Sequence, residues 1–154
     1  MKKILLGLFA MCCMALNSQS ESYDRLVRVL RETNPALDLN NKIIVVNPWS
    51  ISGTESRDLN KAFGNAQSTF QVAKLKGGRA GMVVVALNMV DKDPEARITL
   101  KKDGTENLIL LQSDELKNDP AFQNNKVFDS NGQVIYSGLE SAGVFNAIQK
   151  LITR

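Results

Sequence analysis

Two kinds of apolar pattern alternate along the chain. Lys42 to Asn47 (KIIVVN) and Met82 to Leu87 (MVVVAL) are continuous, β-branched runs. They are too short for free-standing helices and too uniformly apolar for strands with one wet face, which predicts two central strands buried on both sides. Asn107 to Leu111 (NLILL) predicts a third strand. Around these runs the spacing changes to that of helices. Leu26, Val27 and Leu30 lie within a predicted helix Tyr23 to Arg31, which Asn34-Pro35 stops. Ser52 and Glu55 form an S-x-x-E capping box opening a helix through Phe63, with a continuation toward Leu75 and with Leu59, Ala62 and Phe63 inward. Asp93 as N-cap with Pro94 at the first helical position starts a helix to about Lys102, ended by Gly104. Ala142 to Ile152 closes the chain as an amphipathic helix with Val144, Phe145, Ile148, Leu151 and Ile152 inward. Pro48 ends the first strand, Gly77, Gly78 and Gly81 bracket the turn into the second, and Asn131-Gly132 tips a hairpin between Lys126–Phe128 and Gln133–Tyr136.

Helix, strand, helix, strand, helix, strand, hairpin and helix in this order put parallel crossovers first and an antiparallel pair last, an α/β arrangement. No internal repeat or linker divides it, so residues 21–154 are expected to form one domain. Residues 1–20 read as a signal peptide: Lys2 and Lys3, an apolar run from Ile4 to Leu16, then small polar residues to Ser20. That run is shorter than the roughly 20 residues a spanning helix needs, so no integral membrane segment is expected after cleavage. The expected product is exported, periplasmic or secreted. A lipoprotein anchored at Cys12 or Cys13 is the alternative, against which stand Met11 before the pair and apolar Met14 to Leu16 after it.

The leader contains both cysteines, and the chain has no histidine. The expected mature protein therefore has neither thiol nor imidazole, and without disulfides it depends on packing. Loss of Lys2 and Lys3 lowers the formal charge of +3 by two, which gives no electrostatic case for nucleic acid. Lys74, Lys76 and Arg79 read as a solvated face. No cofactor and no metal site is expected. Asp129, Asn131, Gln133 and Glu140 fall at calcium-loop positions, but Val134 stands where the loop requires glycine. Asp91, Asp93 and Glu95 read as acids at a helix start. Gly77 to Gly81 precedes a strand, whereas dinucleotide loops follow one, and Ser141 lacks the spacing of a nucleophile elbow.

The stretch Asn47-Pro48-Trp49-Ser50-Ile51-Ser52-Gly53, after a buried strand and before a helix, resembles the thioredoxin-like family of exported bacterial redox proteins. The resemblance runs from about Asp38 to Leu151 and includes Val83 to Val90 with Asp93-Pro94-Glu95, and the hairpin from Phe128-Asp129 to Gly132. It implies a thioredoxin-like three-layer α/β/α sandwich with a central mixed sheet. In that family a tryptophan and a C-x-x-C pair follow the strand, and the helix N-terminus lowers the first thiol's pKa. Laid residue on residue, Trp49 matches the tryptophan, Ser50 the nucleophilic cysteine and Gly53 the resolving one. Gln123 falls at the family's cis-proline position, with Pro120 three residues early. Without the cysteines dithiol exchange is not carried over. The resemblance implies a binding surface for a protein or peptide at Trp49, Ser50, Ile51, Ser52, Gly53 and Gln123, with no catalytic residue assigned. Trp49, after Pro48, is expected at the strand end near the surface, in a core-packing or a binding role. The other readings are an enzyme using Ser50 or acting on a small molecule, and a structural domain whose old site is vestigial.

Overall fold

The computed structural model describes residues 20–78 and 80–153. All of the expected leader but Ser20, both cysteines included, lies outside the described residues, as does Arg79 of the basic cluster. Helix α1 covers 20–33. It is followed by β1 (Ile43–Trp49), α2 (Thr54–Thr69), β2 (Met82–Asn88), α3 (Asp93–Lys102), β3 (Ile109–Leu111), α4 (Asp114–Lys117), a 3₁₀ turn (Pro120–Phe122), β4 (Lys126–Phe128), β5 (Val134–Ser137) and α5 (Ser141–Gln149). One five-stranded sheet has the order β3-β2-β1-β4-β5. The β1–β2 and β2–β3 pairs are parallel, and the β1–β4 and β4–β5 pairs antiparallel.

The crossovers β1-α2-β2 and β2-α3-β3 step the same way across the sheet. Right-handed connections therefore place α2 and α3 on one face. Leu59, Phe63 and Ala66 of α2, Ala96 and Leu100 of α3, and Val144 and Ile148 of α5 pack there on Ile43, Val45 and Val84. The opposite face carries Leu26 and Leu30 of α1, Leu116 of α4 and Phe122 against Ile44, Val46, Val83 and Val85. Alternate β1 residues thus feed both cores, as a continuous apolar run in a central strand requires. The result is a three-layer α/β/α sandwich.

Several boundaries differ from expectation. Strand β1 runs past Pro48 to Trp49, because β4 pairs only as far as Val46, and Pro48 lies beyond it where no ladder donor is needed. Helix α3 is capped by Lys92 rather than Asp93, with Asp93 in the first turn. Strand β3 begins at Ile109 because the Asn107 side chain turns to α2, donating to Gly64 O and Gln67 Oε1. Helix α5 ends at Gln149, and Phe145 is 42 % exposed. It stands one position off the Val144–Ala147–Ile148 stripe, on the Phe70 ring at 4.9 Å. Ile152 has left the helix and bridges Leu75.

Helix α2 continues through Gly64 because the buried Phe63 and Ala66 override its poor propensity. A Cβ at Gly64 would meet its nearest neighbours, Asn107 and Leu108, at 3.4–3.7 Å, which is ordinary contact. Gly64→Ala is therefore expected to stabilise the fold by roughly 0.5–1 kcal/mol, read as a higher urea midpoint at unchanged m-value.

Candidate functional site

The end of β1, the loop Ser50–Gly53 and the start of α2 form the expected site. The anticipated capping box is absent. Gly53 is the N-cap and offers no side chain, Ser52 is exposed, and Ser56 Oγ donates back to Gly53 O at 2.9 Å. A helix that opens at Thr54 puts Gly53 and Ser56, one turn apart, at its N-terminus. A Cβ built on Gly53 would lie 2.5 Å from Ser56 Oγ and 3.1 Å from Ser50 Oγ, so Gly53 faces both serines. Ser50 closes the turn before the helix, its carbonyl accepting from Gly53 N at 3.1 Å. Among the described residues, Ser50 Oγ meets only Ser52 Oγ, at 3.5 Å, and no carboxylate or amine that could act as its base.

Trp49 is not near the surface, as was expected, but 1 % exposed. Odd-numbered residues of β1 face α2, so the extra residue of strand beyond Pro48 carries the indole into the core beside Leu59 and Phe63. Its Nε1 has no hydrogen-bond partner among the described residues. The sole tryptophan should therefore emit as a buried indole, and an emission maximum typical of solvent-exposed indole would contradict this placement.

The loop is pinned through Ile51. Its N–H donates to Asp91 Oδ2 at 2.7 Å, and its carbonyl accepts from Arg57 at 3.4 Å. Asp91 is held in turn by Asn88, whose Oδ1 accepts from Asp91 N and whose Nδ2 donates to Asp91 O. Arg57 makes a forked pair with Asp103 at 2.8 and 2.6 Å, tying the start of α2 to the end of α3. The Arg57 hydrogen bond is the main reason the Asp103 carboxyl titrates below its ordinary range, with burial acting the other way. A depressed carboxylate contributes stability that is fully present above its unfolded value of about 4 and is lost as pH falls through the lower folded value. Asp103→Asn should thus cost about 1 kcal/mol at pH 7, and the gap from the parent chain should close in urea titrations below about pH 4.

Beneath the loop, buried Asn47 donates to Ser56 O at 2.8 Å and Asn60 Oδ1 at 2.9 Å, while Asn60 Nδ2 lacks a partner among the described residues. Gln123 caps the 3₁₀ turn that Pro120 opens and is exposed. No cis peptide bond occurs among the described residues. The structure brings Gln123 opposite the loop. One cleft of about 290 Å³ lies between Trp49–Ser50, Ser56, Met89–Val90 and Gln123. A second of about 240 Å³ is lined by Asn47, Glu55, Leu59, Gln123–Asn125 and Glu140. The two share Pro48, Ser56 and Gln123, so they form one interrupted groove. Larger hollows exist elsewhere: about 560 Å³ beside α1, where Arg28 and Glu32 pair with each other, and about 410 Å³ at the ends of β2 and β3. The first lies away from the loop; the second adjoins the groove, sharing Met89 and Val90 with it and lined by Asp91, which holds Ile51.

Residues missed from the sequence include Met89, Val90 and Glu55 as lining, and the segment that carries Gln123. Its signals were present: Ser113 caps α4 by accepting from Leu116 N, and Asp119 caps the 3₁₀ turn by accepting from Ala121 N. Asp119 also pairs with Arg25 of α1 at 2.7 Å, which anchors this segment to the sheet's outer layer.

No protein-family model and no curated protein matches the chain. Solved structures do. The backbone is similar to the thioredoxin domain of a thiol-disulfide oxidoreductase from Bacteroides vulgatus, with a TM-score of 0.60 and 16% identity over 75% of this chain and 83% of that one. It is similar to a thiol:disulfide interchange protein from Bacteroides sp., with a TM-score of 0.60 and 16% identity over 75% and 76%. It is also similar to a secreted disulfide oxidoreductase of Mycobacterium tuberculosis, with a TM-score of 0.55 and 10% identity over 73% and 84%. The fold is thioredoxin-like. Among the described residues, however, there is no cysteine to form the pair that such oxidoreductases are named for.

Proposed function

We propose that this protein is an exported thioredoxin-fold domain that has no dithiol chemistry and binds extended polypeptide along the groove at Pro48, Ser56 and Gln123. The observation that carries this reading is the cluster of Ser50, Gly53 and Ser56 at the uncapped start of α2, small residues facing one another beside a groove that stays open. In the resembling family a dithiol stands at the helix N-terminus. Spacing to the tryptophan matches that pair to Ser50 and Gly53; counting from the helix start at Thr54 would match it to Gly53 and Ser56 instead. None of these residues can form a thiolate or a disulfide. The apolar rim is retained: Val90 is 78 % exposed, beside Met89 and Pro48.

The test has two arms. The protein should reduce an aromatic disulfide no faster than buffer; any turnover would overturn the redox-inactive half. A fluorescent unfolded polypeptide should bind with saturating anisotropy, and Val90→Lys should weaken binding about tenfold while Ser50→Ala changes it little. Absence of binding would overturn the other half and favour a vestigial scaffold, and a Ser50-dependent turnover would favour an enzyme.

A further inference from the structure

Resting on that polypeptide-binding reading, we infer that the groove selects an extended segment that pairs an apolar side chain with a lysine or arginine. The two halves of the groove differ in chemistry. The half beyond Ser50 is rimmed by Met89 and the exposed Val90 and contains no charged lining residue. The half beyond Asn47 contains two charged lining residues, Glu55 and Glu140, both acidic and exposed.

These two carboxylates come from different elements. Glu55 is in the first turn of α2, and Glu140 is the N-cap of α5, where its side chain caps nothing. Neither forms an ion pair among the described residues, although other acids in the chain do: Asp103 with Arg57, Asp119 with Arg25, Glu115 with Arg28. Lys61, on the same helix as Glu55, pairs with Asp58 at 3.1 Å, and Lys126, next to the lining residue Asn125, donates to Ser137 Oγ at 3.1 Å. A helix start can hold a carboxylate without any ligand, because the dipole favours negative charge there. Two such carboxylates converging on one cleft lined by no cation nevertheless set a negative potential that a cation relieves and an acidic side chain worsens. The ridge of Pro48, Ser56 and Gln123, shared by both halves, fixes the order of the occupant: apolar side chain on the Met89–Val90 side, cation on the Glu55–Glu140 side.

The probe is a set of capped, fluorescein-labelled Ser/Gly peptides, each carrying one leucine and one lysine at separations from one to four residues. Companion peptides replace the lysine with glutamate or glutamine. Anisotropy with the full chain should show one separation bound best, about tenfold tighter with lysine than with glutamate at low ionic strength, the preference shrinking in 0.5 M salt. Glu55→Gln with Glu140→Gln, exposed and nearly isosteric, should abolish the preference while leaving the unfolding midpoint close to that of the parent. Equal affinity for lysine, glutamine and glutamate peptides, lost on Val90→Lys, would overturn the charge selection and leave polypeptide binding standing. Binding of none of the peptides would overturn both.

Discussion

Gly53→Cys with Ser56→Cys is expected to convert this chain into a dithiol oxidoreductase. The two positions already face each other, with a Cβ at 53 only 2.5 Å from the Ser56 hydroxyl. Gly53 has φ −84° and ψ 94°, extended backbone that any L-residue adopts, so the substitution brings no backbone strain. A thiol at 53 would be the N-cap of a 16-residue helix, where orphan N–H groups and the dipole favour the thiolate. Its pKa should fall below the ordinary thiol value of about 8.5, whereas Ser50→Cys, in the turn before the helix, should titrate closer to that value. The double variant should form an intramolecular disulfide and reduce an aromatic disulfide at least about a hundredfold faster than the parent, which lacks a thiolate in this site. If Ser50→Cys with Gly53→Cys is the faster pair, the register inferred from spacing to the tryptophan is right and the one read from the helix start is wrong.

The start of α2, at Thr54 after Gly53 rather than at Ser52, marks where the sequence stopped being legible. The sheet was readable because Ile43 to Val46 and Met82 to Leu87 are buried on both faces, and uniform burial leaves a uniform apolar run. The hairpin was readable because its turn is local: Gly132 takes φ +81°, and Asp129 Oδ1 accepts from the N–H groups of Asn131 and Gln133. The start of α2 was not, because three small polar residues, Ser50, Ser52 and Gly53, can each precede a helix. The choice among them depends on Asp91 of the loop after β2 gripping Ile51, and on Arg57, itself held by Asp103 after α3, donating to the Ile51 carbonyl. Trp49 was misplaced for a similar reason. Pro48 reads as a terminator unless the neighbouring strand is known to have ended at Lys126, opposite Val46. The lining residues Met89, Val90 and Glu140 come from loops that only the topology brings to the loop at Ser50.

The largest loss of stability is expected from Gly132→Ala. Gly132 holds φ +81°, and a Cβ there would collide with the Tyr23 ring of α1, which itself packs tilted against Phe128 with ring centroids 5.3 Å apart. The left-handed conformation costs an L-residue roughly 1–2 kcal/mol, and displacing a packed ring adds about 1–3 kcal/mol. A combined loss of roughly 2–5 kcal/mol should appear in urea unfolding. Pairing Gly132→Ala with Tyr23→Ala separates the two causes, because removing the ring relieves the collision and leaves only the backbone cost. A Gly132→Ala chain as stable as the parent would mean that the hairpin and α1 are not packed as described.

The central claim is that polypeptide is met at the groove by the start of α2, by a chain without redox chemistry. The most direct measurement is an amide chemical-shift map of the ¹⁵N-labelled protein titrated with an unfolded polypeptide. The account predicts saturable shifts confined to Ser50–Ser56, Met89–Val90 and Gln123–Asn125, with little change at the opposite end of the sheet around Lys42, Gln71 and Gly81. Shifts centred on that opposite end, on the hollow beside α1, or nowhere would contradict it.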